Sequence, residues 1–78
     1  MKKKIKIPYD YSALEKLIKS VYGTVAAFGK ELGLSERSMS QKMNSKVPWT
    51  QPEMDEAAEL LGFPKADIQI YFFTLKVQ

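Results

Sequence analysis

The side chains with the most distinctive chemistry lie in the stretch 35–44, SERSMSQKMN. Serine, glutamine, asparagine and arginine dominate it, and only Met39 and Met43 are apolar. A helix that needed only to be soluble would more often carry glutamate–lysine pairs. Serine, glutamine, asparagine and arginine are instead residues that contact base edges and phosphates. The stretch is therefore typical of a helix with a narrow core-facing seam and a polar surface for a nucleic acid.

The amino-acid composition excludes several other kinds of functional site. The 78 residues contain no cysteine and no histidine, which removes disulfides, thiolate metal ligands, the usual zinc ligand and the usual general base. The carboxylates of residues 53–59 are surface acids without a basic or metal-binding partner. We therefore expect a binding protein without a metal or cofactor, not an enzyme.

Charge is distributed unevenly along the chain. Residues 1–46 carry ten basic and four acidic side chains, a net charge of +6, whereas residues 47–78 carry two basic and five acidic ones, a net charge of −3. A basic front half indicates a polyanionic partner. A solvated charged surface beside an acidic helix would give the same distribution, so charge alone leaves both interpretations open.

The length and the N-terminal sequence indicate one domain in the cytoplasm. A chain of 78 residues has room for a single small core. Lysines interrupt the apolar residues of MKKKIKIP, unlike the apolar run of a secretory signal. No stretch approaches the roughly 20 apolar residues of a membrane span.

Apolar spacing predicts helices before and within the central stretch. The first helix should begin near Ser12, where Ser12 and Glu15 match a capping box. Its buried stripe follows the i, i+3, i+4, i+7 spacing: Leu14, Leu17, Ile18 and Val21. Thr24 can cap the second helix, whose buried stripe is Val25, Phe28 and Leu32. Within this helix Gly29 costs about 1 kcal/mol relative to alanine and so indicates close approach of another backbone. Gly33 permits the turn, and Ser35 can cap the third helix.

The second half predicts two further helices. Thr50 and Glu53 match a capping box, and the fourth helix has its own apolar stripe: Met54, Ala57, Ala58 and Leu61. A last short helix is predicted at about 64–72. Ile70 and Phe73 remain outside this core, which makes them candidates for a dimer or partner surface. The alternating residues near the two termini can pair as a short antiparallel ribbon.

Nine residues of the central stretch form a motif: Thr24, Phe28, Gly29, Gly33, Leu34, Ser35, Met39, Ser40 and Asn44. With them the chain resembles phage Cro and repressor proteins of the lambda-repressor-like (XRE) helix-turn-helix class, in particular the small Cro-like regulators of Gram-positive temperate phages. The resemblance implies an all-α, compact bundle of about five helices with the helix-turn-helix at 24–44. It divides the chain into a basic N-terminal arm (1–10), a helix-turn-helix DNA-binding domain (11–73) and a C-terminal tail (74–78).

The resemblance also implies site residues by position. The base-contacting positions are Glu36, Arg37, Ser38, Ser40 and Gln41, and the phosphate-contacting positions are Thr24, Lys42, Asn44, Lys46 and Trp49. Arg37 suits guanine and Gln41 suits adenine, each contact giving roughly 1–3 kcal/mol of discrimination, whereas Glu36 also fits a purely structural role in the first helical turn. Val25 stands where many relatives have a phosphate-clamping glutamine.

Two functions fit these expectations. The first is a sequence-specific DNA-binding transcriptional regulator, a Cro-like repressor that occupies double-stranded operator DNA through the recognition helix 35–44, as a homodimer associated with the host nucleoid. The alternative is an antirepressor or modulator that binds a partner phage repressor. The acidic fourth helix, Val25 and the unburied Ile70 and Phe73 motivate the alternative.

Overall fold

Residues 9–75 are described by the computed structural model, and they confirm the predicted all-α bundle. Five α-helices and one 3-10 turn follow one another: α1 Ser12–Tyr22, α2 Val25–Leu32, α3 Glu36–Met43, α4 Gln51–Leu61, the 3-10 turn Lys65–Asp67 and α5 Ile68–Phe72. The last predicted helix therefore begins as a 3-10 turn. Within residues 9–75, none of the helices has the length and apolar character needed to cross a membrane.

Local capping sets the starts of three helices, as predicted. The Thr24 hydroxyl accepts the backbone N–H of Ala27 at 3.1 Å, and the Ser35 hydroxyl accepts that of Ser38 at 3.1 Å. Thr50 forms the reciprocal capping box at the start of α4. Each cap satisfies backbone donors that the first helical turn leaves unpaired.

The start of α1 differs from the prediction, because the Ser12–Glu15 capping box is absent. Tyr11 occupies the N-cap position, and Asp10 accepts the backbone N–H of Ser12 at 2.9 Å and also the Ser12 hydroxyl. Glu15 instead forms an ion pair with Lys19 at 3.1 Å. Asp10, two residues before the start of α1, thus accepts a backbone N–H of the first turn, the role that was predicted for Ser12.

The core lies where all five helices meet. Its largest fully buried side chains come from four of them: Phe28, Phe72, Leu14, Ile18 and Met39. Val21, predicted to continue the α1 stripe, is 49% exposed. Because Val21 sits in the last turn of α1, the buried line of that helix ends at Ile18.

Gly29 and Gly33 fix the corner between α2 and α3. A Cβ atom at Gly29 would lie 2.2 Å from the Cγ of Met39, so the predicted close approach at this crossing is present. The neighbour is a side chain of α3, however, and not the backbone that was expected. Gly33 has φ +80 in the left-handed region, which lets the Leu34 N–H bond back to the Gly29 carbonyl at 2.8 Å.

The two ends of the described chain pair with each other. Tyr9 and Leu75 form an isolated antiparallel bridge, and the Asp10 N–H donates to the Thr74 carbonyl at 2.7 Å. The Tyr9 ring also packs edge-on against Phe73, with 5.9 Å between centroids. This bridge follows the alternating N-terminal residues of the predicted ribbon, and residues 1–8 of the predicted arm and 76–78 of the tail lie outside the described residues, so the ribbon stays a prediction.

Candidate functional site

A groove of about 480 Å³ opens between α1, α2 and α3. Its apolar wall consists of Val25, Ala26, Met39 and Met43, and its polar edge consists of Glu15, Glu36, Ser40 and Asn44. We call it the α2–α3 groove. It lies on the face where the helix-turn-helix prediction placed the ligand.

Helical spacing explains how α3 supplies most of this lining. Glu36, Ser40 and Asn44 are four residues apart and therefore stand in line on one side of the helix. Met39 is buried beneath them, and Met43 is half-buried. The tight corner brings Val25, at the start of α2, to the opposite wall.

The groove carries negative charge without a basic residue in its lining. Glu15 is balanced by Lys19, although both side chains are about half exposed, so water weakens this pair. No hydrogen bond or ion pair within residues 9–75 engages the Glu36 carboxylate. Asn44 donates its side-chain N–H to the Ser40 carbonyl at 2.8 Å, which leaves its amide oxygen as an acceptor. The groove therefore attracts donors and cations.

The five predicted base-contacting residues do not share one environment. Glu36 and Ser40 line the groove, and Arg37 is exposed beside them. Ser38 is half-buried and bonded to Ser35. Gln41 is half-buried, and its carbonyl accepts the Lys46 N–H at 2.8 Å.

Two of the predicted phosphate-contacting residues are buried, which corrects the prediction for them. Lys42 is 6% exposed; its ammonium donates to the Pro48 carbonyl at 3.0 Å and pairs with Glu53 at 3.0 Å. Trp49 is 8% exposed, and its ring packs edge-on against Phe72, with 5.1 Å between centroids. Lys42 links α3 to the start of α4, because a lysine can bury its stem when its charge is paired with a carboxylate. Trp49 follows α3 and joins the core.

The Lys42 contact also acts on the acid that receives it. Burial of the Glu53 carboxyl by itself would raise its pKa, but hydrogen bonds from the Thr50 backbone N–H and from Lys42 outweigh burial and lower the pKa. Glu53 therefore stays ionised and holds both α3 and the start of α4. The remaining predicted phosphate contacts, Thr24, Asn44 and Lys46, are exposed, and only Asn44 lies in the groove.

Sequence reasoning missed several residues of this region. Val25 and Met43 were assigned to core stripes and Glu15 to a cap, yet all three line the groove. Ser45, in the loop after α3, has φ +62, and its hydroxyl donates to the Tyr9 carbonyl at 3.4 Å. Helical periodicity could have shown that the stripes are apolar but not that α2 and α3 leave part of them uncovered.

Exposed apolar residues form a second feature of the surface. Ile70 is 56% exposed and Phe73 47% exposed, in keeping with their expected position outside the core. Leu75, at the terminal bridge, is 55% exposed. Their use as a dimer or partner surface stays a prediction.

Comparison with known proteins places the chain in a family. The family model described as "Protein of unknown function (DUF739)" matches residues 7–75. The chain belongs to this family. No curated protein matches the chain.

Among solved structures, the chain is similar to the modulator of repression (MOR) of the temperate bacteriophage TP901-1 from Lactococcus lactis, determined in solution. The sequences are 43% identical, the match covers 90% of this chain and 95% of that chain, and the TM-score is 0.76. The DUF739 protein thus has the fold of a phage regulator, and the coarse resemblance to such regulators is confirmed.

The same finding overturns the first of the two expected functions. A protein with this fold and 43% of these residues is a modulator of repression, so the interpretation as an operator-occupying Cro-like repressor is wrong. Neither comparison supports the narrower Cro or XRE assignment or the nucleoid association. The alternative, a modulator, agrees with the comparison.

Proposed function

We propose that this DUF739 protein modulates phage repression by binding a repressor protein. The observation that carries the proposal is the 43% identity, over 90% of the chain, to a modulator of repression. The match covers nearly the full length of both chains, so the two proteins share the same helical framework. The role is one of binding and needs neither catalysis nor a cofactor.

The α2–α3 groove supports a protein partner. A DNA-binding face needs lysine and arginine side chains to neutralise phosphates, but the groove is lined by two carboxylates and no basic residue. Of the two basic residues of α3, Lys42 turns inward to Glu53, and Arg37 is exposed outside the groove lining. An apolar wall of the half-buried Val25 and Met43 is instead suited to excluding water from a protein contact.

The test is a direct binding measurement with the purified repressor of the same phage. We expect a stoichiometric complex by calorimetry and by light scattering. We also expect a reporter promoter silenced by the repressor to respond when the DUF739 protein is expressed. If the wild-type protein forms no complex with the repressor and leaves the reporter unchanged, the proposal fails.

A matched pair of variants locates the contact. Ser40→Trp places a large ring at the edge of the groove, whereas Ser20→Trp makes the same change at an exposed position of α1 outside the groove lining. We expect Ser40→Trp to weaken the complex at least about tenfold, which corresponds to about 1.4 kcal/mol, and Ser20→Trp to leave it unchanged. Equal effects of the two variants would place the contact elsewhere.

A homodimer through Ile70 and Phe73 is a separate part of the proposal. The exposure of both side chains supports it, because burying apolar surface is favourable. Sedimentation of the wild-type protein over a hundredfold concentration range measures the association directly. Ile70→Ser should abolish any dimer found, and a protein that stays monomeric throughout would leave this patch to the repressor or to solvent.

A further inference from the structure

We infer that the α2–α3 groove receives an arginine side chain of the partner, with its stem against Val25 and Met43 and its guanidinium on Glu36. The inference rests on the proposed function and specifies the chemistry of the contact. It begins with Glu36, whose carboxylate lines the groove and has no partner among residues 9–75. A carboxylate beside an apolar wall is best matched by a cation with an apolar stem, because the stem can pack on the wall while the charge pairs with the carboxylate.

The lining favours a cation over an anion. Glu15 and Glu36 are its charged members, and a phosphate or carboxylate placed there would meet both of them. The helical line of α3 adds the Ser40 hydroxyl four residues from Glu36, about 6 Å along the helix axis. The groove thus offers two acceptors in sequence above an apolar surface.

Arginine matches this arrangement better than lysine does. Its planar guanidinium carries five donors that point in fixed directions, so it can donate to a carboxylate and to a neighbouring hydroxyl together. It is also more weakly hydrated than an ammonium group, which lowers the cost of moving it from water to the groove. The half-buried Met43 supplies polarisable, adaptable surface for its stem, and Val25 lies on the opposite wall of the groove.

The direct experiment uses a blocked tripeptide, acetyl-Ala-Arg-Ala-amide, and the same peptide with citrulline, a neutral residue of nearly the same shape. Each is titrated into the isotope-labelled full-length protein, and backbone amide shifts are recorded by NMR. We expect the arginine peptide to shift the amides of residues 36–44 and of Val25, and the citrulline peptide to shift them at least about fivefold less. Equal shifts with both peptides, or no shift with either, would overturn the inference.

Two charge-neutralising variants make the test specific. Glu36→Gln should remove the preference for arginine, whereas Glu59→Gln, at an exposed position of α4 outside the groove lining, should retain it. A Glu36→Gln protein that still prefers arginine would contradict the inference. Because both positions are exposed, neither variant is expected to unfold the chain, and its spectrum shows this directly.

The repressor assay separates the inference from the function on which it rests. We expect Glu36→Gln to weaken the repressor complex about tenfold and Glu59→Gln to leave it unchanged. If Glu36→Gln binds the repressor as well as the wild type does, the inference fails and the proposed function stands. If the wild type does not bind the repressor at all, the proposed function fails, and the peptide titration still reports whether the groove selects arginine.

Discussion

Replacing Lys42 with methionine tests whether this buried lysine holds α3 against α4. Its ammonium nitrogen lies 3.0 Å from the Glu53 carboxylate and 3.0 Å from the Pro48 carbonyl. The side chains of the ion pair are 7% and 21% exposed. Methionine keeps most of the aliphatic stem but removes the charge and both contacts.

The expected cost follows from this burial. Removing one partner of a buried ion pair typically costs about 3–5 kcal/mol. Glu53 is one-fifth exposed and keeps the Thr50 N–H, at 2.9 Å, so we expect Lys42→Met to lower the free energy of unfolding by about 2–3 kcal/mol. A chain of this length has about 4–12 kcal/mol in total, so the melting temperature should fall by about 10–20 °C.

Urea unfolding measures this loss through two signals. Circular dichroism follows the helices, and fluorescence follows Trp49, the only tryptophan, whose ring centroid is 5.8 Å from the Lys42 nitrogen. A double-mutant cycle adds Glu53→Gln, whose amide oxygen can still accept the Thr50 N–H. We expect a coupling energy of about 1–2 kcal/mol between the two substitutions.

Two results would refute this reasoning. Lys42→Met within about 0.5 kcal/mol of the wild type would fit a surface lysine, and strictly additive substitutions would mean that the pair does not interact.

The pH dependence of unfolding is an independent check of the Lys42–Glu53 ion pair. The pKa of Glu53 is lower in the folded chain than its ordinary value of 4.5, so the ion pair contributes stability above that value and loses it as pH falls through the folded pKa. Unfolding free energy should therefore decline more steeply below about pH 4.5 in the wild type than in Glu53→Gln.

Two further predictions concern the helix corner and the α4 cap. Gly29→Ala should destabilise the chain by about 1–2 kcal/mol, because a methyl group 2.2 Å from the Met39 Cγ overpacks the crossing by more than the roughly 1 kcal/mol gained in helix propensity. In urea titrations the double variant Gly29→Ala/Met39→Ala should lose less than the sum of the two single variants, and a stabilised Gly29→Ala would contradict the prediction. Thr50→Ala should cost about 1 kcal/mol by removing the oxygen that accepts the Glu53 N–H. Thr50→Ser, which keeps that oxygen, is the control, and equal losses in the two variants would show that the cap is not the cause.

Local signals in the sequence were sufficient for most of the fold. Thr24, Ser35 and Thr50 act as caps because each hydroxyl reaches donors only two or three residues away. Gly33 marks the corner because its left-handed conformation is costly for other residues. These interactions are complete within one or two helical turns, so residue type and spacing determine them.

Tertiary structure decided the burial of Lys42 and the shape of the groove. Lys42 and Glu53 lie on different helices, and no periodicity relates them; the fold of the bundle brings them to 3.0 Å. Val25 and Met43 continue apolar stripes, as predicted, but whether a stripe is covered depends on the angle at which two helices cross. In this bundle they form the wall of an open groove.

The choice between DNA and protein as a partner was also beyond the sequence of α3. Serine, glutamine, asparagine and arginine donate and accept hydrogen bonds on either kind of surface, so composition could identify a polar binding helix but not its ligand. The bundle turns Lys42 inward and sets the Glu36 carboxylate beside Met39 and Met43. The electrostatic character of that face arises from where the fold places each charge, which is why the sequence alone determined the helices and the tertiary structure decided what they present to a partner.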